Sequence, residues 1–208
     1  MSAFEFFFSF YGLLLGLSAA VIATGLASSI QHRRRIKIGW KTSMLALFVA
    51  LDIASFWDAA WTNFQHLPFS YGLLVVGLAV ALVYFIAASL VFPHEIEDGL
   101  SLDDHFWANK KVVLLLLVAA NTLGLLAAVP ANLEREGGDF LLINYAIAMG
   151  LYYLLVIPAA LARKPRLFAI TLGLHIAIYI ILAALSPIGA GVIAEGGEVN
   201  VPEMPEAP

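Results

Sequence analysis

Six stretches of this chain are each apolar for about twenty residues, and that feature decides what it can fold into. About 20 helical residues cross a 30 Å hydrocarbon core, where each segment must satisfy its own backbone N–H and C=O groups. The runs lie at about 6–30, 42–64, 70–92, 111–130, 140–162 and 167–187. Polar or turn-forming segments separate them: QHRRRIKIG, QHLP, PHEIEDGLSLDDHFWANKK, NLEREGGD and RKPR. The chain is 62% hydrophobic and only 12% charged, against about 25% charged in a soluble domain. Too little polar surface remains to cover a water-soluble globule, so the excess faces lipid. The fold class is predicted to be all-α, a polytopic bundle of six transmembrane helices.

The cations set an orientation. Arg33, Arg34, Arg35, Lys37 and Lys41 lie between runs one and two, Lys110 and Lys111 precede run four, and Arg163, Lys164 and Arg166 join runs five and six. Ten of the eleven Lys and Arg therefore fall on one side, leaving Arg135 on the other. The positive-inside rule makes the rich side cytoplasmic and predicts both termini outside, as an even number of spans requires. Glu5 stands where a signal peptide would carry Lys or Arg, so the first run is expected to be retained as a span. The acidic, proline-rich segment 188–208 reads as a flexible outer tail after a transmembrane domain over 1–187. The Pro93–Lys111 connection divides the chain three spans from three, the division seen in inverted-repeat transporters. Ser101 and Asp104 within it form a helix N-cap pair, predicting a helix start near Leu102. Its Glu95, Glu97, Asp98, Asp103 and Asp104, with His94 and His105, read as a solvated acidic linker that could attract cations.

Run two is the anomaly. It holds Asp52 near its centre and Asp58 six residues on. A carboxylate at that depth costs about 2.5–3.5 kcal/mol on insertion scales, so it needs a partner, a proton or a function. Asn121 of run four and His175 of run six share the depth of Asp52 to within about one turn, and Tyr84, Tyr152 and Tyr153 lie close to it. Asp58 is about 9 Å outward at 1.5 Å per residue and about 120° around the helix, so the two acids do not make one tight metal site. Asn144 and Glu5 continue the polar series outward, and Asp58, Asn144 and Glu5 are the candidate lining of an outer vestibule. Asp52, His175 and Asn121 are the candidate proton or ion site. A low-dielectric setting disfavours the charged form of both an acid and an imidazole, and such groups can load and release a proton as access alternates. The competing reading is an accessory or structural subunit, in which these polar groups only fix helix packing.

In run one, Gly12, Gly16, Ala20, Thr24 and Ser28 recur every four residues on one slowly drifting face. Small residues let backbones approach, so this stripe is expected to be a packing seam inside the bundle, with a homo-oligomer seam as the alternative. Phe4, Phe6, Phe7, Phe8, Tyr11, Trp57 and Trp61 form an expected interfacial belt at the outer ends of runs one and two.

Other chemistries lack their residues. There is no cysteine, hence no disulfide or thiolate site. HExxH, GxSxG, Walker and GxGD motifs are absent, so no enzyme activity is expected. Haem with two axial histidines needs two deep imidazoles, whereas only His175 is deep and His66 lies at the boundary; no lysine inside a run offers a retinal Schiff base. No cofactor or metal is therefore expected. The formal charge of −4 argues against nucleic-acid partners, which leaves the lipid bilayer and an unidentified small ion or solute. FEFFFSFYGLLLGL, LDIASFW and SLVFP resemble segments of small, functionally uncharacterised bacterial inner-membrane proteins with about six spans. That resemblance implies a multi-pass protein of a bacterial inner membrane and assigns no functional residue.

Overall fold

A computed structural model describes residues 3–34, 36, 39–64, 70–94, 101–133 and 138–196. Expectations placed on Arg35, Lys37, His66, Glu95, Glu97, Asp98, Arg135 and residues 197–208 lie outside them. The described chain forms six helices: α1 (Ala3–Gln31), α2 (Trp40–Phe64), α3 (Tyr71–Ser89), α4 (Leu102–Leu133), α5 (Gly138–Leu161) and α6 (Pro165–Gly196). Each contains a segment long and apolar enough to cross a membrane. The protein is a six-helix, multi-pass membrane bundle.

Local chemistry sets the helix starts. The Ser70 side chain accepts from the Leu73 N–H at 3.2 Å and caps α3. Ser101 accepts from Asp104 N–H at 3.4 Å, so α4 begins at Leu102 as its cap sequence predicts. Pro165 opens α6, where its missing N–H has no helical partner to lose. Helix α6 also continues through 188–196, the first part of the expected tail; IGAGVIAEG holds no further proline to interrupt it.

Around the bundle the order is α1, α3, α4, α5, α6 and α2. Helices α2 and α4 also meet across the middle, so α2 touches α1, α3, α4 and α6. On α2 the buried residues Leu45, Phe48, Val49, Asp52, Phe56 and Ala60 follow a three-or-four spacing that keeps them on one face. The facing stripe of α4 is Val113, Leu117, Ala120, Asn121, Gly124 and Ala128. Gly124 is small because Phe56 lies against it; a Cβ there would stand 2.6 Å from Phe56 Cε2. The two halves pair differently. Helix α1 runs along α3, whereas α4 meets α6 through long side chains such as Phe106 on Phe168, ring centroids 4.8 Å apart.

The small-residue stripe of α1 is an interior seam only at its start. Gly12 is buried against Trp57, but Gly16 meets nothing within 4 Å and Ala20 and Thr24 are exposed. The face drifts because 3.6 does not divide four-residue steps, so successive members rotate out of the bundle. Gly12, Gly16 and Ala20 instead line an outward groove with Leu13, Leu17 and Trp57. The aromatic belt is likewise divided. Trp57 and Trp61 are exposed and Phe8 packs edge-on against Trp61 at 4.9 Å, while Phe7 and Tyr11 are 2% exposed core residues.

Candidate functional site

Asp52 is fully buried, and its carboxylate is the centre of a polar cluster drawn from five helices. The periodicity that makes α2 amphipathic turns Asp52 inward together with Phe48, Val49 and Phe56. Tyr84 Oη of α3 donates to Oδ2 at 3.0 Å. Asn121 Nδ2 of α4 donates to the same oxygen at 3.1 Å. Tyr179 Oη of α6 donates to Oδ1 at 2.8 Å. The fifth helix contributes Tyr152, whose Oη lies 3.2 Å from Asn121 Nδ2. Among the described residues no Lys, Arg or His hydrogen-bonds or ion-pairs with Asp52.

Asn121 is the hub that ties α4 to the acid. Its Nδ2 has Asp52 Oδ2, Tyr84 Oη, Leu117 O and Tyr152 Oη within 3.0–3.2 Å. An amide carries two N–H bonds, so these four acceptors compete for two donors. The hydroxyls can exchange donor and acceptor roles as the acid gains or loses a proton. Thr122 and Tyr153, one residue further along α4 and α5, share a separate hydroxyl pair at 2.9 Å.

His175 lies at the same depth but outside this network. Its ring is edge-on to Phe48, Tyr152 and Tyr179, with centroids 5.5, 5.2 and 4.6 Å away. Both ring nitrogens are buried without a hydrogen-bond partner among the described residues. The expected Asp52–His175 pair is therefore not a hydrogen-bonded one; His175 touches the cluster through the rings of Tyr179 and Tyr152. Sharing a depth did not ensure sharing an azimuth.

Tyr179 also faces outward. With Leu51, Ala54, Ser55, Asp58, Leu182, Ala183 and Ser186 it lines a crevice of about 390 Å³ between α2 and α6. The crevice runs from the level of Asp52 toward the end of the bundle opposite the cations. Asp58, a candidate vestibule residue, is in that lining. Asn144 does not: it is exposed and donates to Phe140 O of its own helix at 2.7 Å. Glu5, exposed on α1, is also absent from the lining, because α1 does not border α6.

Two residues escaped the sequence reading. Tyr179 is four residues after His175 and thus on the same face of α6, a spacing that could have flagged it. Lys110 was read as a flanking cation, yet it is 3% exposed and donates to Ala159 O and Ala160 O at 3.1 and 2.9 Å. Among the described residues no group of three or more His, Asp or Glu is placed to hold a metal. No protein-family model, curated protein or solved structure matches this chain.

Proposed function

We propose that Asp52 is the loading site for a proton or small cation in a compact membrane transporter or channel. The observation that carries this reading is the Tyr179 contact: one hydroxyl binds a fully buried carboxylate and lines the crevice that holds Ser55, Asp58 and Ser186. A charge buried at membrane depth marks a pathway more often than a scaffold. Hydroxyl and amide groups around it can change hydrogen-bond direction without moving a backbone. Asp52 and Tyr179 form the inner end of the path, and Ser55 and Asp58 continue it outward. His175 acts by packing against Tyr179, not as a second proton carrier. The positive-inside argument supports an outward-facing crevice, and the resemblance of the apolar segments supports a bacterial inner membrane as its setting.

The test is Asp52→Asn in proteoliposomes, with an internal pH dye and an imposed potassium diffusion potential. An asparagine can accept from Tyr84 and Asn121 at its oxygen and donate to Tyr179 Oη at its nitrogen, so the variant keeps its fold. Proton flux falls to the level of empty liposomes if Asp52 is the loading site, and flux equal to the unmodified protein overturns the proposal.

A second reading rests on the same three donors. Both carboxylate oxygens are satisfied, as in a polar staple that fixes the register of α2, α3, α4 and α6 in an accessory subunit. That reading makes Asp52→Asn silent in every assay and Asp52→Leu destabilising.

A further inference from the structure

At the cation-rich end, α5 stops at Leu161 and leaves its last carbonyls without helical partners. Lys110 of α4 satisfies two of them, donating to Ala159 O and Ala160 O, with its Nζ 5.2 Å from the centroid of the Trp107 ring. An ammonium has three N–H bonds, so one remains. Among the described residues no carboxylate pairs with Lys110, and the nearby Asp103 is taken by Lys41. The negative end of the α5 dipole offsets only about half a charge.

Beside this buried cation lies a crevice of about 400 Å³, lined by Trp107, Lys110, Lys111, Ala160, Leu161, Ala162 and Arg163. Its lining brings together three cations and no acid. Lys111 and Arg163 are exposed and free to close on a ligand. The crevice also sits where the apolar flank begins. Leu161, part of its wall, is 58% exposed, and Leu154, two turns back along α5, is 68% exposed. On α4, exposed Val112 and Leu115 continue from Lys111 into the span.

The geometry points to a site for the phosphate of an anionic phospholipid, held by Lys110, Lys111 and Arg163 beside Trp107. A soluble anion would use the cations alone. A diacyl lipid uses both features, setting its phosphate among the cations and its chains along Leu161, Leu154, Val112 and Leu115. An indole at the headgroup level and a basic pocket between helix ends are the chemistry that recognises such lipids. This site is distinct from the Asp52 cluster and does not depend on its role.

The full chain in a neutral maltoside detergent is titrated with phosphatidylglycerol, phosphatidylcholine or inorganic phosphate, following thermal unfolding and native mass spectra. Phosphatidylglycerol is expected to bind saturably and raise the melting temperature, and the other two are not. The pair Lys111→Gln with Arg163→Gln, both exposed in the native fold, should weaken phosphatidylglycerol binding roughly 30-fold, the size expected for two cations at a membrane surface. The pair Lys164→Gln with Arg166→Gln removes the same charge outside the lining and should change binding by less than about 3-fold. Equal losses in the two pairs, no loss in either, or an equal response to phosphatidylcholine or inorganic phosphate would overturn the assignment.

Discussion

Tyr179 Oη donates to Oδ1 of Asp52 at 2.8 Å, joining positions 127 residues apart in the chain. The bond links α2 to α6, and it stands between the buried cluster and the crevice of Ser55 and Asp58. Removing it should therefore affect stability and access together. Tyr179→Phe is expected to cost about 0.6–1.5 kcal/mol, the range for an interhelical hydrogen bond in a membrane. Tyr84→Phe should cost more, because Tyr84 Oη both donates to Asp52 and accepts from Asn121. Unfolding by titrated SDS in mixed micelles measures both. The reverse ranking would place the energetic weight of the cluster on its outer side.

His175 tests the opposite case. Its two nitrogens are buried against Phe48, Tyr152 and Tyr179 with no hydrogen-bond partner among the described residues. A buried unsatisfied polar group costs about 1–3 kcal/mol, so replacing it by an apolar side chain of similar volume removes a penalty. His175→Leu is expected to melt at or above the temperature of the unmodified protein. A fall of several degrees would mean that the imidazole holds a partner essential to the fold.

The glycines of α1 give a paired prediction. A Cβ on Gly25 would stand 2.3 Å from Phe92 Cδ2 and 2.7 Å from its Cγ, and Phe92 is itself 9% exposed. Gly25→Ala should therefore lower stability by about 1–3 kcal/mol through overpacking. Gly16 faces open space, so Gly16→Ala should be neutral or slightly stabilising through helix propensity. The same denaturation assay compares them. A clear loss at Gly16 would show that a second copy of the chain covers the groove beside it.

Lys41 and Asp103 pair across the starts of α2 and α4 where the acid is 39% exposed. Solvent and salt screen such a pair, so a double-mutant cycle of Lys41→Gln and Asp103→Asn should give a coupling below about 1 kcal/mol. The coupling should shrink further between 0.05 and 0.5 M salt, as the Debye length falls from roughly 14 to 4 Å. Thr42, fully buried next to it, donates to Leu102 O at 3.1 Å, and Thr42→Val should cost at least as much as breaking the ion pair. A larger coupling for the ion pair would reverse that order.

What the sequence determined by itself was everything that depends on one helix at a time. Length and hydropathy require six spanning helices because lipid offers no partner to an open backbone. Ser101 marks the start of α4 through its own side-chain bond, a local event. The rise of 1.5 Å per residue placed Asp52, Asn121 and His175 at one depth, and two of the three meet. The tertiary structure decided which way each of those residues faces and what it touches. Rotation about a helix axis is set by packing of whole faces, so a residue's own identity does not report it. Hence Asp52 found Tyr84, Asn121 and Tyr179 rather than His175, and the Gly12 stripe turned outward after one turn. Lys110, a flanking cation by position, became a buried cap for α5 because only the fold brings that helix end to it.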